Sequence, residues 1–276
     1  MSTASGSRSQ QDSSPPAIEM QGLTLRFGEL VAVDALDCRI AHGEMFGLLG
    51  ANGAGKTSTI KMLTTLLPPS AGTARVAGSD IVRDPAEVRR HIGYVPQMLS
   101  ADGALTGYEN LLLSARLYRV LRGVRARRIT EALRFMGLTD SAHRLVKTYS
   151  GGMIRRLELA QAMLHRPSVL FLDEPTIGLD PVARRSVWER LVELNRSHRV
   201  TILLTTHDME EADHLCTDMA ILHAGRIAVR DKPAQLKASI SDHATLDEVF
   251  AHYSSVSESG RLRDTAAARQ IARRLG

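Results

Sequence analysis

Two kinds of apolar pattern run along this chain. In "AIEMQGLTLRF" and "LVAVDALDCRI", residues 17–27 and 30–40, apolar and polar residues alternate. That is the period of strands with one buried and one wet face, and it predicts an antiparallel β portion at the start. "EMFGLLG", "SVLFLDEP" and "VTILLTTH" are different: short, almost wholly apolar, and each closed by a polar cluster. Central parallel strands read this way because helices cover both of their faces. Between the first and second of these lies a helix-rich stretch, about Leu105 to Leu164. There "YENLLLSARLYRVL" and "ITEALRFMGL" space apolar residues by three and four. "ATLDEVFAHY" predicts a short amphipathic helix near the end. The pattern is that of an α/β protein.

Composition narrows the picture only a little. A chain of 276 residues, 43% hydrophobic and 24% charged, can bury a large core in one or two domains. The formal charge of +5 suits anionic ligands, nucleic acid or anionic lipid, and selects none of them. Cys38 and Cys216 lie far apart without CxxC spacing, which argues for buried free thiols in a reducing compartment rather than a disulfide framework or a zinc site. No apolar run approaches the roughly 18 residues that span a bilayer. "MSTASGSRSQQDSSPP" lacks the apolar stretch of a secretory signal, and 1–16 is expected to be a disordered tail. The basic run "RVLRGVRARR" is expected to be a solvated helix face or a contact with acidic loops or lipid headgroups. No aromatic interleaving accompanies the basic residues, so no nucleic-acid partner is expected.

The chemistry sits at the ends of the apolar runs. Gly50-Ala51-Asn52-Gly53-Ala54-Gly55-Lys56-Thr57, followed by Ser58, fits G-x-x-x-x-G-K-[ST], between an apolar strand and a helix that should end before Pro68. Glycines let backbone N–H groups wrap a phosphate closely, and the helix N-terminus favours the same anion. Lys56 is expected to reach the β- and γ-phosphates, and Thr57 to ligate Mg²⁺. Asp173 at the end of "VLFLD" is the expected second metal partner, and Glu174, expected to point away from it because neighbouring strand residues face opposite ways, is the expected general base for an attacking water. A Gly-rich turn that binds nothing, and adjacent acids that merely cap a helix, are the ordinary alternatives to each signal taken alone.

With these residues in place, "YSGGMIRRLELAQAML", Tyr149 to Leu164, resembles the signature of the nucleotide-binding subunits of ATP-binding-cassette (ABC) transporters, usually written LSGGQ. Other parts follow in family order. Phe27 stands where an aromatic stacks on adenine. Gln97 in "IGYVPQ" resembles the Q-loop glutamine, "TIGLD" ending at Asp180 resembles the D-loop, and His207 in "LLTTHD" resembles the switch histidine. Taken singly, Phe27 could be a core aromatic, Gln97 a turn residue and His207 a surface or capping residue. The resemblance covers about residues 18 to 230. It implies a P-loop ATPase core with an N-terminal antiparallel β subdomain and an inserted helical subdomain at about 98–155. The implied nucleotide-binding domain runs over 17–235, with a short extension at 236–254 and a basic tail at 255–276.

The resemblance also implies roles. Gly50, Asn52, Gly53, Ala54, Gly55, Lys56, Thr57 and Ser58 bind ATP, and Thr57, Gln97 and Asp173 hold Mg²⁺. Glu174, His207 and Gln97 serve hydrolysis. Ser150, Gly151 and Gly152 grip the γ-phosphate bound to the opposite subunit of a head-to-tail homodimer, and Asp180 couples the two sites. The partner is a separate transmembrane permease, which places the chain at the cytoplasmic face of the membrane. Tyr149 stands for the usual Leu, Met153 for the usual Gln, and Ala51 for a common proline; none of these alters the Ser-Gly-Gly grip. The Y-S-G-G-M form, "RRLELA" and C-terminal "TLDEVF" are similar to the ATPases of bacterial drug exporters of the daunorubicin-resistance type. A soluble ABC ATPase without a transport role, such as the iron–sulfur assembly type, is the alternative.

Overall fold

The computed structural model describes residues 15–253; the expected basic tail at 255–276 and most of the expected N-terminal tail lie outside them. The chain opens with β1 (Ile18–Phe27), β2 (Leu30–Ile40) and β3 (Met45–Leu49), then α1 (Lys56–Leu63), β4 (Ala71–Val76) and β5 (Ser79–Asp80). Next come α2 (Pro85–His91), β6 (Ile92–Val95), α3 (Gly107–Leu117), α4 (Arg122–Phe135) and α5 (Gly151–Met163). The last part holds β7 (Val169–Asp173), α6 (Pro181–His198), β8 (Thr201–Thr206), α7 (Met209–Leu215), β9 (Asp218–His223), β10 (Arg226–Asp231) and α8 (Pro233–Ala238). Residues 246–253 form a further helical segment, where "ATLDEVFAHY" predicts one.

Two sheets result. Four antiparallel strands run in the order β2-β1-β4-β5, and six strands in the order β10-β9-β3-β8-β7-β6. Within the second, β6, β7, β8, β3 and β9 are parallel, and only β10 turns back against β9.

The unbroken apolar runs are explained by what covers them. Along β7, Val169 and Phe171 face a core shared with the antiparallel sheet, whereas Leu170 and Leu172 face a second core built with α3, α5 and α6. The same division holds along β3 for Phe46 and Leu48 against Met45 and Leu49. Both faces are dry, so no polar residue is tolerated until the strand ends. Each such buried side chain contributes about 1.5–3 kcal/mol. The polar clusters at those ends then emerge together at one edge of the sheet, where open α/β folds bind ligands.

Helix ends follow local chemistry. The α3 start is a capping box: Thr106 accepts from the Glu109 N–H, and the Glu109 side chain accepts from the Thr106 N–H. Asp180 caps α6 by accepting from the Val182 and Ala183 N–H groups at 3.0 and 2.9 Å.

Both cysteines are free and buried. Burial pushes the Cys38 thiol up to about 11, and Cys216 higher still. A shift of that size leaves the Cys38 thiolate about a hundredfold scarcer than in an ordinary thiol. Iodoacetamide at neutral pH is therefore expected to label neither cysteine in the native protein and both in denaturant, as read by mass spectrometry. Rapid native labelling of either would contradict this packing.

Candidate functional site

A cleft of about 470 Å³ opens at the strand ends, lined by Phe27, Leu30, Ala32, residues 51–58, Gln97 and Glu174. The glycine-rich loop forms its floor. Gly55 caps α1 with φ of 107°, and a β-carbon there would sit 2.5 Å from the Ala32 carbonyl oxygen. Only glycine satisfies both conditions. The loop therefore delivers Lys56 as the first residue of α1, with Thr57 and Ser58 facing the same cleft. Lys56 is only 5% exposed. Its ammonium donates to the Gly50 and Ala51 carbonyls at 2.7 and 3.3 Å, and lies 3.2 Å from Glu174 Oε1.

The two carboxylates at the end of β7 have separate partners. Asp173 Oδ1 accepts from Thr57 Oγ1 at 3.1 Å and from Thr205 Oγ1 at 2.6 Å. Glu174 faces Lys56 on one side and His207 on the other. Strand alternation is not the reason they diverge. The strand ends at Asp173, and Glu174 sits in the left-handed region with φ of 48°. Its N–H donates to the Thr205 carbonyl at 3.0 Å and to Thr205 Oγ1 at 3.1 Å, which holds this strained corner. His207 Nδ1 lies 3.0 Å from Glu174 Oε2 but off the hydrogen-bond line. That buried oxygen thus has no hydrogen-bond donor among the described residues.

The His207 turn is pinned from behind. Asp208 caps α7 through the Glu210 and Glu211 N–H groups, and its other oxygen accepts from Arg184 of α6 at 2.7 Å. Glu211 is buried and accepts from Thr176 Oγ1 at 2.7 Å and Trp188 Nε1 at 3.0 Å. Burial pushes its carboxyl above the usual range. This network joins the loop after β7 to the helix after β8.

Ser150, Gly151, Gly152 and Asp180 do not line this cleft. Ser150 caps α5, accepting from the Met153 N–H at 3.3 Å. A β-carbon on Gly152 would meet that of Ala183 at 2.7 Å, so glycine here lets α5 pack tightly on α6. Asp180 is spent on its own helix cap, as described above.

Sequence reasoning passed over Arg155 and Glu158. Arg155 donates to the Pro96 and Gln97 carbonyls, both at 2.7 Å, and to Glu158 at 3.0 Å. A signal existed: opposite charges three apart on a helix, set among Ile154, Leu157 and Leu159. A larger cavity, about 550 Å³, opens beside α4, α5 and α6 among apolar side chains such as Phe135, Met163 and Leu194. It contains none of the strand-end groups.

The arrangement offers a buried cation, two carboxylates with different partners and a bare-backbone cradle, which suits a polyphosphate. Residues 33–177 match the ABC transporter family. The chain belongs to the ABC transporter family. It is an ATPase: it binds and hydrolyses ATP as the ATP-binding subunit of such a transporter. Relatives agree. Daunorubicin/doxorubicin resistance ATP-binding protein DrrA of Streptomyces peucetius is 44% identical over 82% of this chain and 68% of its own length. Nod factor export ATP-binding protein I of Ralstonia nicotianae is 42% identical over 81% of this chain and 69% of its own. Among solved structures, the ATP binding subunit of an ABC transporter superposes with a TM-score of 0.76 at 29% identity, covering 86% of this chain and 99% of that one. An ATP-binding cassette dimer bound to ADP and phosphate shares the fold, with a TM-score of 0.70 at 24% identity over 78% of this chain and 98% of that one. Among the described residues of this ABC ATPase, no helix is long and apolar enough to cross a membrane.

Proposed function

We propose that this chain powers an exporter of drugs, antibiotics or other hydrophobic compounds, working through a separate membrane permease and ATP-driven pairing of two copies. One observation carries the chemical part: Lys56, Asp173, Glu174 and His207 converge where β3, β7 and β8 end, beside the glycine-rich loop. ATP phosphates lie along residues 51–58, and Lys56 exchanges its carbonyl and Glu174 partners for phosphate oxygens. The hydroxyl of Thr57 and the carboxylate of Asp173, 3.1 Å apart, are the hard oxygen donors that magnesium takes. With Gln97 they would hold the ion, which neutralises charge on the phosphates when bound. Glu174 Oε2, lacking a donor of its own, is the oxygen free to accept a proton from water. His207 orients that carboxylate and contacts the terminal phosphate.

The same geometry supports pairing. Ser150, Gly151 and Gly152 stand at a helix N-terminus, suited to an anion yet away from this chain's own cleft. A second copy, turned head to tail, brings them to the γ-phosphate, so ATP shifts the open–closed balance by contacts made only on closure. Met98 and Leu99 after β6, with Leu117 at the end of α3 and Leu121 just before α4, are exposed apolar side chains suited to a permease. A permease docked there would hold the subunit at the cytoplasmic face of the membrane. The named relatives that confer resistance or export support the exporter assignment.

Subunit mixing tests the pairing. Lys56→Ala spoils the loop half of a shared site, and Gly151→Asp spoils the signature half. Each variant alone is expected to be inactive. Mixed, they rebuild one intact seam, and phosphate release returns. If mixing restores nothing while each variant remains folded, the shared site is wrong.

A further inference from the structure

We propose that Arg155 and Glu158, a buried pair on α5, are positioning residues that set Gln97 for ATP hydrolysis. This rests on the reading of Gln97 as part of the nucleotide site. The segment from Pro96 to Ala101, which leaves β6 and leads toward α3, takes much of its anchoring from this pair. The Arg155 guanidinium donates through one nitrogen to the Pro96 carbonyl and through the other to the Gln97 carbonyl, each at 2.7 Å. Glu158 accepts from the Ser100 N–H, from Ser100 Oγ at 3.1 Å and from the Ala101 N–H at 3.3 Å. Arg155 and Glu158 also bond each other at 3.0 Å. They are 1% and 3% exposed.

The pair is not explained by stability. Removing two charges from water is costly, and buried ion pairs are often replaced by apolar residues without loss of fold. What an apolar pair cannot do is bind main-chain carbonyl and N–H groups. A planar guanidinium bridging two successive carbonyls fixes the relative orientation of the two peptide planes that meet at the Gln97 Cα, with a fork geometry that the freely rotating donors of an ammonium do not impose. Gln97 is thereby fixed through its backbone, and the residue lines the cleft with Lys56 and Glu174. The holder belongs to α5, the helix opened by Ser150. Any displacement of that helix is therefore passed to Gln97 through a rigid polar link.

The test uses the full chain in four forms: Arg155→Met/Glu158→Leu, Arg155→Lys, Gln97→Ala, and the apolar swap combined with Gln97→Ala. The apolar swap is expected to fold, with a melting temperature lowered by the loss of partners for the Pro96 and Gln97 carbonyls, and to keep the ATP dissociation constant within about twofold while lowering kcat about tenfold or more. Arg155→Lys, which keeps the charge but not the fork, is expected to fall between wild type and the swap. Gln97→Ala is expected to lower kcat by itself, and adding the swap to it should cost nothing further, because both act through one side chain. Equal losses from the swap in both backgrounds, or wild-type kcat in the swap, would overturn the proposal. Should the swap fail to fold, Arg155→Lys decides: wild-type kcat there overturns it equally. Wild-type kcat in Gln97→Ala alone would instead sink the reading of Gln97 on which the proposal rests.

Discussion

Replacing Glu174 with glutamine is expected to leave ATP bound and to slow its hydrolysis by about 10²–10⁴, the usual worth of a positioned general base. The two side chains have nearly the same shape, so the corner built on Thr205 persists. Glutamine's carbonyl oxygen can still face Lys56, and its amide replaces Oε2, the oxygen that no donor satisfies. The variant thus keeps the cleft and loses the proton acceptor. Slow cleavage should hold two copies together around uncleaved ATP. Single-turnover phosphate release measures the first effect, and gel filtration with ATP the second. Wild-type turnover in this variant would remove Glu174 from the chemistry.

Lys56→Ala has a different signature. A charge-assisted hydrogen bond contributes about 1.5–3 kcal/mol, so ATP affinity is expected to fall about ten- to a hundredfold. The apo fold should suffer as well. Glu174 is 5% exposed, and without Lys56 it is a buried carboxylate facing only His207. Breaking one partner out of a buried pair costs about 3–5 kcal/mol. Adding Glu174→Gln to Lys56→Ala should recover most of that stability without recovering affinity. Equilibrium nucleotide titration and thermal melts of the three variants separate the two effects. Unchanged ATP affinity in Lys56→Ala would count against the phosphate loop.

Much of this was legible in the amino-acid order. The alternation in β1 and β2, and the dry runs of β3, β7 and β8, follow from how many faces each strand buries, which is a local property. The loop from Gly50 to Thr57 was legible as a glycine-rich turn between a strand and a helix, and Gly55 shows why glycine is needed there: a φ of 107° and the Ala32 carbonyl 2.5 Å from where a β-carbon would sit. Other features depend on residues far apart in the chain. Thr205 lies 32 residues from Asp173, yet it bonds both acids. Arg155 holds a loop 58 residues away. Nothing in the local pattern of either reveals its partner. The divergence of Asp173 and Glu174 could be anticipated, but its cause is a left-handed corner that alternation does not foresee. Asp180 has an obvious local duty as a helix cap, which its place in a motif does not disclose.

The corner at Glu174 has a consequence for anyone improving this protein by selection. A side chain other than glycine in the left-handed region works against folding. A library sorted only by heat resistance would therefore settle on glycine or asparagine at 174 once Lys56 too is exchanged for a neutral residue, and its sturdiest winners would be inert.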